Sequence, residues 1–170
     1  MAAIPIDNLF RRDLTDAQKT LIQQKLKERI PTGFSQHRTM LKGTRQVLDR
    51  ITAQVKPTKY LQAQLRNEKV TDQLGTLGGG NHFLEVVHDD TPDEQVWCLL
   101  HSGSRNIGNR TALHYDQVAR DWLKKNHPEQ NRRLQGIHYM PIASPEGQAY
   151  LRDMEWCQHY AYHNRKAMQE

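Results

Sequence analysis

Two glycine-rich stretches, each carrying a histidine, bracket a pair of strand-like runs, and together they constrain how this chain can fold. The first stretch is Gly75-Thr76-Leu77-Gly78-Gly79-Gly80-Asn81-His82-Phe83-Leu84-Glu85 and the second is His101-Ser102-Gly103-Ser104-Arg105. Between them, residues 83–88 and 95–101 are rich in Val, Leu and aromatic side chains and read as two strands. The connector from Asp89 to Glu94 is polar, contains Pro92 and has the length of a hairpin loop. A hairpin symmetric about the Thr91–Pro92 bond places His82 opposite His101, and Glu85 on the same face as Cys98. Directly opposed residues have Cβ atoms about 4.5–5.5 Å apart on one face. Two imidazoles at that spacing either serve one metal or two neighbouring metals, or simply pack and hydrogen-bond across the strands. A slip of one residue in register separates the rings.

The same stretches carry most of the chemistry. Glycine permits positive φ and close approach of a ligand, so the loop before Asn81 and His82 either presents N–H groups to a phosphate or is a tight turn entering a strand. Ser102, Ser104 and Arg105 leave the second strand towards a helix. Hydroxyls, backbone N–H groups and an arginine fork at a helix start make an oxyanion site, with plain helix capping as the alternative. His159 and His163 are four apart on a helix but lie off its apolar stripe, which marks a solvated face. Neither serine has a base and an acid arranged around it as a nucleophile requires.

The rest of the chain supplies helices. Thr15 can cap a helix running to Ile30, with Leu21, Ile22, Leu26 and Ile30 inward. A second helix is expected from Ser35 to Val55 and is stopped by Pro57, and a third, weakly patterned, from Tyr60 to Gln73. Residues 111–126 read as a helix with Ala112, Tyr115, Val118, Ala119 and Trp122 inward, and residues 127–139 as a basic connector. Ser144-Pro145-Glu146 opens a helix that places Tyr150, Leu151, Met154, Cys157 and Ala161 on one face. The expected fold class is α+β: a β-hairpin within a mainly antiparallel sheet packed by helices. No linker or repeat divides the chain, so residues 1–170 are expected to form a single unit. The apolar opening Ala2-Ala3-Ile4 and the unterminated last helix lead to the expectation that it is a piece cut at both ends.

Composition narrows the partners. The formal charge of +5 suits an anionic partner such as nucleic acid. No apolar run approaches the ~20 residues of a membrane span. Two cysteines make no disulfide framework, which points to a reducing, cytoplasmic setting.

On the two glycine–histidine motifs, the sequence resembles the RtcB family of RNA ligases, which act in tRNA splicing and RNA repair. Met140-Pro141…Ser144-Pro145-Glu146-Gly147 and Tyr160-Ala161…Asn164-Arg165…Met168 are also similar to the family, and the similarity runs through essentially the whole chain. The resemblance implies joining of RNA 3′-phosphate or 2′,3′-cyclic phosphate ends to 5′-hydroxyl ends, dependent on GTP and two Mn²⁺ ions. It implies that a histidine is guanylylated and that GMP then passes to the RNA 3′-phosphate. By motif position, His82 and His101 would be manganese ligands. Asn81, Phe83 and Glu85 would bind the nucleotide cofactor, and Arg105 with Ser104 would hold the RNA phosphate.

Departures from the family pattern carry their own expectations. Met1 matches the end of a metal-binding Asp-x-x-Cys-Gly-Met segment, whose Asp and Cys are absent. The guanylylated histidine, a third metal histidine and much of the guanine pocket are expected beyond Glu170. Asn106 stands where a glycine is usual. Such a fragment alone should not ligate. Two alternatives are an RtcB-like paralogue with other phosphoryl-transfer chemistry, and a non-catalytic RNA-binding module using Arg132 and Arg133, whose binding would be strongly salt-dependent.

Overall fold

The structure, a computed structural model, describes residues 1–67, 69–134 and 136–169. It is α+β. In chain order the elements are β1 (Ala2–Phe10), a 3₁₀ turn (Arg11–Asp13), α1 (Asp16–Arg29), α2 (Thr44–Gln54), α3 (Lys59–Asn67) and α4 (Val70–Gln73). There follow β2 (Phe83–His88), β3 (Gln95–His101), α5 (Arg105–Asn126), α6 (Pro128–Arg133) and α7 (Pro145–Ala167). The chain's contacts group it into two compact units, one of Met1–Thr44, Thr71–Gly103 and Ala161–Glu170, the other of Arg45–Val70 and Ser104–Tyr160. Among the described residues, no helix is long and apolar enough to cross a membrane.

The first unit is built on a three-stranded antiparallel sheet in the order β1-β3-β2. Pro5 is tolerated because β1 is an edge strand, where a missing ladder donor costs least. Ile30, Leu77 and Leu100 form the buried centre, with Ala2, Leu26, Leu84 and Met168 packed around them. Thr15 caps α1 as expected: its Oγ1 accepts from the Gln18 N–H at 3.3 Å, and the Gln18 side chain accepts from the Thr15 N–H at 2.8 Å. The face of α1 that turns inward is narrower than the periodicity suggested, and Leu21 stays exposed.

The hairpin forms, but its register differs by one residue from the symmetric expectation. Phe83, not His82, lies opposite His101, and Glu85 pairs with Leu99 rather than sharing a face with Cys98. Asp89 explains the shift. Its carboxylate accepts from the Thr91 N–H and hydroxyl, from the Gln95 N–H at 3.2 Å and from the Trp97 indole N–H at 3.0 Å. Asp89 N–H also donates to the Gln95 carbonyl, and Glu94 adopts a left-handed φ of 51°. That closes an odd-numbered loop centred on Pro92 itself, which rotates the whole alternation by one position.

Other boundaries moved for local reasons. The helix expected from Ser35 starts only at Thr44, because the preceding backbone bonds elsewhere: His37 N–H donates to the Asp72 carbonyl, and Gly43 sits at φ 84°. The segment expected as one helix from Tyr60 to Gln73 is α3 and α4, and Glu68 lies outside the described residues. In the second unit α5 begins six residues earlier than Thr111, at Arg105, and the basic connector contains α6. The buried stripe of α5 is Ile107, Thr111, Tyr115, Ala119 and Leu123, while Ala112 faces out. Along α7 the second unit buries Asp153, Trp156, Cys157 and Tyr160. Trp156 donates to Thr52 Oγ1 at 3.2 Å and Tyr160 to the Val70 carbonyl at 2.7 Å.

Candidate metal and phosphate site

His82 and His101 are brought together despite the changed register. Their ring centroids are 5.8 Å apart with planes at 61°. His82 is not a paired strand residue; it precedes β2, and the turn through Gly80 and Asn81 swings its ring to the end of β3. Phe83 stacks on His101 with centroids 5.4 Å apart and planes at 25°. Because residues alternate along a strand, Phe83, Glu85, Leu99 and His101 share one face, with Glu85 exposed. The Nδ1 atom of His101 is buried and has no hydrogen-bond partner among the described residues. A buried imidazole nitrogen in that state is costly as structure and well suited to ligation.

The glycine loop is only partly available to a ligand. Gly75 at φ 77° and Gly78 at φ 98° need glycine; a Cβ at Gly75 would stand 2.5 Å from Leu41 Cδ1. The N–H groups of Gly75 and Thr76 donate to the Asn164 side chain, and that of Leu77 to the Pro31 carbonyl. The Gly78 carbonyl accepts from Gly33 N–H at 2.7 Å. The stretch 75–78 is therefore buried and committed, and only Gly79, Gly80 and Asn81 are exposed beside His82. Any phosphate cradle narrows to that tip.

Ser102 is excluded as a nucleophile by its bonding: it is buried and its hydroxyl donates to the Leu77 carbonyl at 2.7 Å. Ser104 and Arg105 belong to the second unit, where they open α5. The Ser104 side chain makes no cap bond; its Oγ lies over Gly108, where an added Cβ would come within 1.8 Å. Arg105 takes the left-handed φ of 58°, and burial lowers its guanidinium pKa, partly offset by Tyr160.

Among the described residues, no group of three or more His, Cys, Asp and Glu side chains converges on one point. The two imidazoles thus fit a metal as part of a ligand set, not as a complete one. The groove of about 490 Å³ beside α1, lined by Leu14, Ile22, Leu26 and Leu84, is not lined by the histidine pair. Periodicity gave no sign of Asn164 or Asp153, polar residues fully buried on α7, since the apolar stripe falls beside both; Asn164 stood out in the sequence as part of the family-like Tyr160-Ala161…Asn164-Arg165 stretch, Asp153 by nothing.

The family model for tRNA-splicing ligase RtcB matches residues 3–170. The RNA-splicing ligase RtcB of Escherichia coli strain K12 is 37% identical over 97 residues, which is 57% of this chain and 23% of that protein. The tRNA-splicing ligase RtcB of Nanoarchaeum equitans is 35% identical over 108 residues, covering 56% of this chain and 22% of its own length. That of Aeropyrum pernix is 35% identical over 117 residues, covering 61% and 24%. In each case the match spans less than a quarter of the relative.

Proposed function

This chain belongs to the RtcB family, and from that membership we propose that it forms part of a cytoplasmic RNA ligase. The reaction proposed joins RNA 3′-phosphate or 2′,3′-cyclic phosphate ends, such as those of cleaved tRNA, to 5′-hydroxyl ends, with GTP and Mn²⁺ as cofactors. The observation that carries the metal assignment is the buried, unpartnered Nδ1 of His101, with the His82 ring 5.8 Å away.

In this proposal His82 and His101 contribute imidazole nitrogens to a mixed nitrogen and oxygen set, a donor type manganese accepts. When bound, the metal supplies charge that neutralises and aligns a phosphoryl group. Asn81, exposed at the loop tip, offers its amide to a phosphate oxygen. Phe83 gives an apolar ring and Glu85 a carboxylate on the face of His101, where a nucleotide is held. Arg105 offers a planar fork for the RNA phosphate, and Ser104 a hydroxyl from the preceding position; burial does not threaten the arginine's charge, because a guanidinium stays protonated in proteins. In this proposal the histidine that takes up GMP is not one of these residues.

The test is ligation of a 5′-hydroxyl RNA to one ending in a 2′,3′-cyclic phosphate, by the intact protein that carries this chain, with GTP and Mn²⁺. Product is expected from the wild type and a loss of more than about tenfold in His82→Ala and His101→Ala, since weakening a metal set by even its outer partners costs that much. Full activity in both variants would refute the assignment.

A further inference from the structure

Asn164 shows no solvent-exposed surface, and every hydrogen-bonding group of its carboxamide is engaged within the first unit. Oδ1 accepts from Gly75 N–H at 2.8 Å and Thr76 N–H at 3.2 Å. Nδ2 faces the Thr76 carbonyl at 3.1 Å, Ser102 Oγ at 3.1 Å and the Gly103 carbonyl at 3.0 Å. Two N–H donors on one side and two carbonyls on the other fix which end is oxygen and which is nitrogen. An amide is the side chain that both accepts and donates in this planar way; a carboxylate would face two carbonyls, and a methyl would leave several buried backbone groups unpaired.

The partners belong to two different loops. Gly75 and Thr76 open the glycine loop that ends at His82, while Ser102 and Gly103 directly follow His101. Ser102 Oγ adds a second tie by donating to the Leu77 carbonyl at 2.7 Å, and Arg165 Nη1 donates to the Ser102 carbonyl at 3.0 Å. The His82 ring rests on Gly103, its Nε2 3.5 Å from where a Cβ would stand. We propose that Asn164 is a positioning residue for the metal site: its one amide clasps the loop before His82 to the strand end after His101 and so sets how the two imidazoles face each other. Register alone does not do this, because His82 lies outside the paired strand residues. The proposal rests on the metal assignment only for what the histidines then bind.

The experiment is a long-range ¹H–¹⁵N spectrum of the histidine imidazoles in wild type and Asn164→Asp, with His88 as a reference ring elsewhere in the first unit, followed by Mn²⁺ titration. Asn164→Asp keeps the shape and the acceptor but removes the donor. The expected result is displaced and broadened His82 and His101 resonances, an unmoved His88, unchanged amide shifts for Val96 to Leu100, and Mn²⁺ affinity at least about tenfold weaker. Unmoved His82 and His101 resonances in the folded variant would overturn the proposal, as would displacement of His88 and the whole sheet alike, which marks a plain core residue. If Asn164→Asp does not fold, Ser102→Ala loosens one tie of the same clasp and is judged by the same resonances. If Mn²⁺ leaves the wild-type rings untouched, the metal assignment falls, while the clasp stands or falls on the Mn²⁺-free spectra.

Discussion

Asp153 is fully buried in the second unit and accepts from Thr58 N–H at 2.9 Å, Thr58 Oγ1 at 2.6 Å and Tyr115 OH at 2.8 Å. Those bonds tie the start of α3 to α5 and α7 through one carboxylate. Asp153→Ala leaves a backbone N–H and two hydroxyls without it, and is expected to cost about 3 kcal/mol or more, read as a lower urea midpoint. Nearby, His114 stacks on Tyr60 with centroids 3.6 Å apart. Burial lowers its pKa below 6.5, with the Asp153 charge opposing. The unfolded chain therefore binds the proton first, so the stability His114 contributes is complete above pH 6.5 and is lost as pH falls through the folded value. Wild type should lose more stability than His114→Gln between pH 7.5 and pH 5, in buffered denaturant melts at about these values. Cys157, raised to about 11 chiefly by burial, stays a packed thiol throughout.

At the scale of elements, the hairpin shows what local pattern does and does not encode. Strand composition located β2 and β3 to the residue, because alternation and β-branched content are local properties. Register was not local: it depends on which groups Asp89 binds, and a symmetric loop was the wrong default. Asp89→Ala removes the acceptor for Thr91, Gln95 and the Trp97 indole, so the hairpin should loosen. The expected readout is a lower melting temperature with faster amide exchange at Gln95 and Trp97. Unchanged protection there would show that the loop closes without Asp89. The helices repeat the lesson. Thr15 and Ser144-Pro145 announced their caps, whereas the start of α5 was hidden behind Gly103 and Gly108, and Gly108 is small because Ser104 Oγ occupies the space. The stripe on α7 was drawn through apolar side chains, so Asp153 and Asn164, the two polar residues around which each unit's loops bond, escaped it.

For the molecule as a whole, the family was legible because its motifs are long, contiguous stretches; the family model matches residues 3–170, which include them. The juxtaposition of His82 and His101 was also legible, although the route to it was not: the glycine turn supplies it, where strand pairing had been expected. The central claim is that these two imidazoles are half of a metal site. It is tested most directly by calorimetric titration of Mn²⁺ into the folded chain, wild type against His82→Ala and His101→Ala. Binding by the wild type that weakens in both variants is the predicted result. Equal binding by all three folded proteins would contradict it.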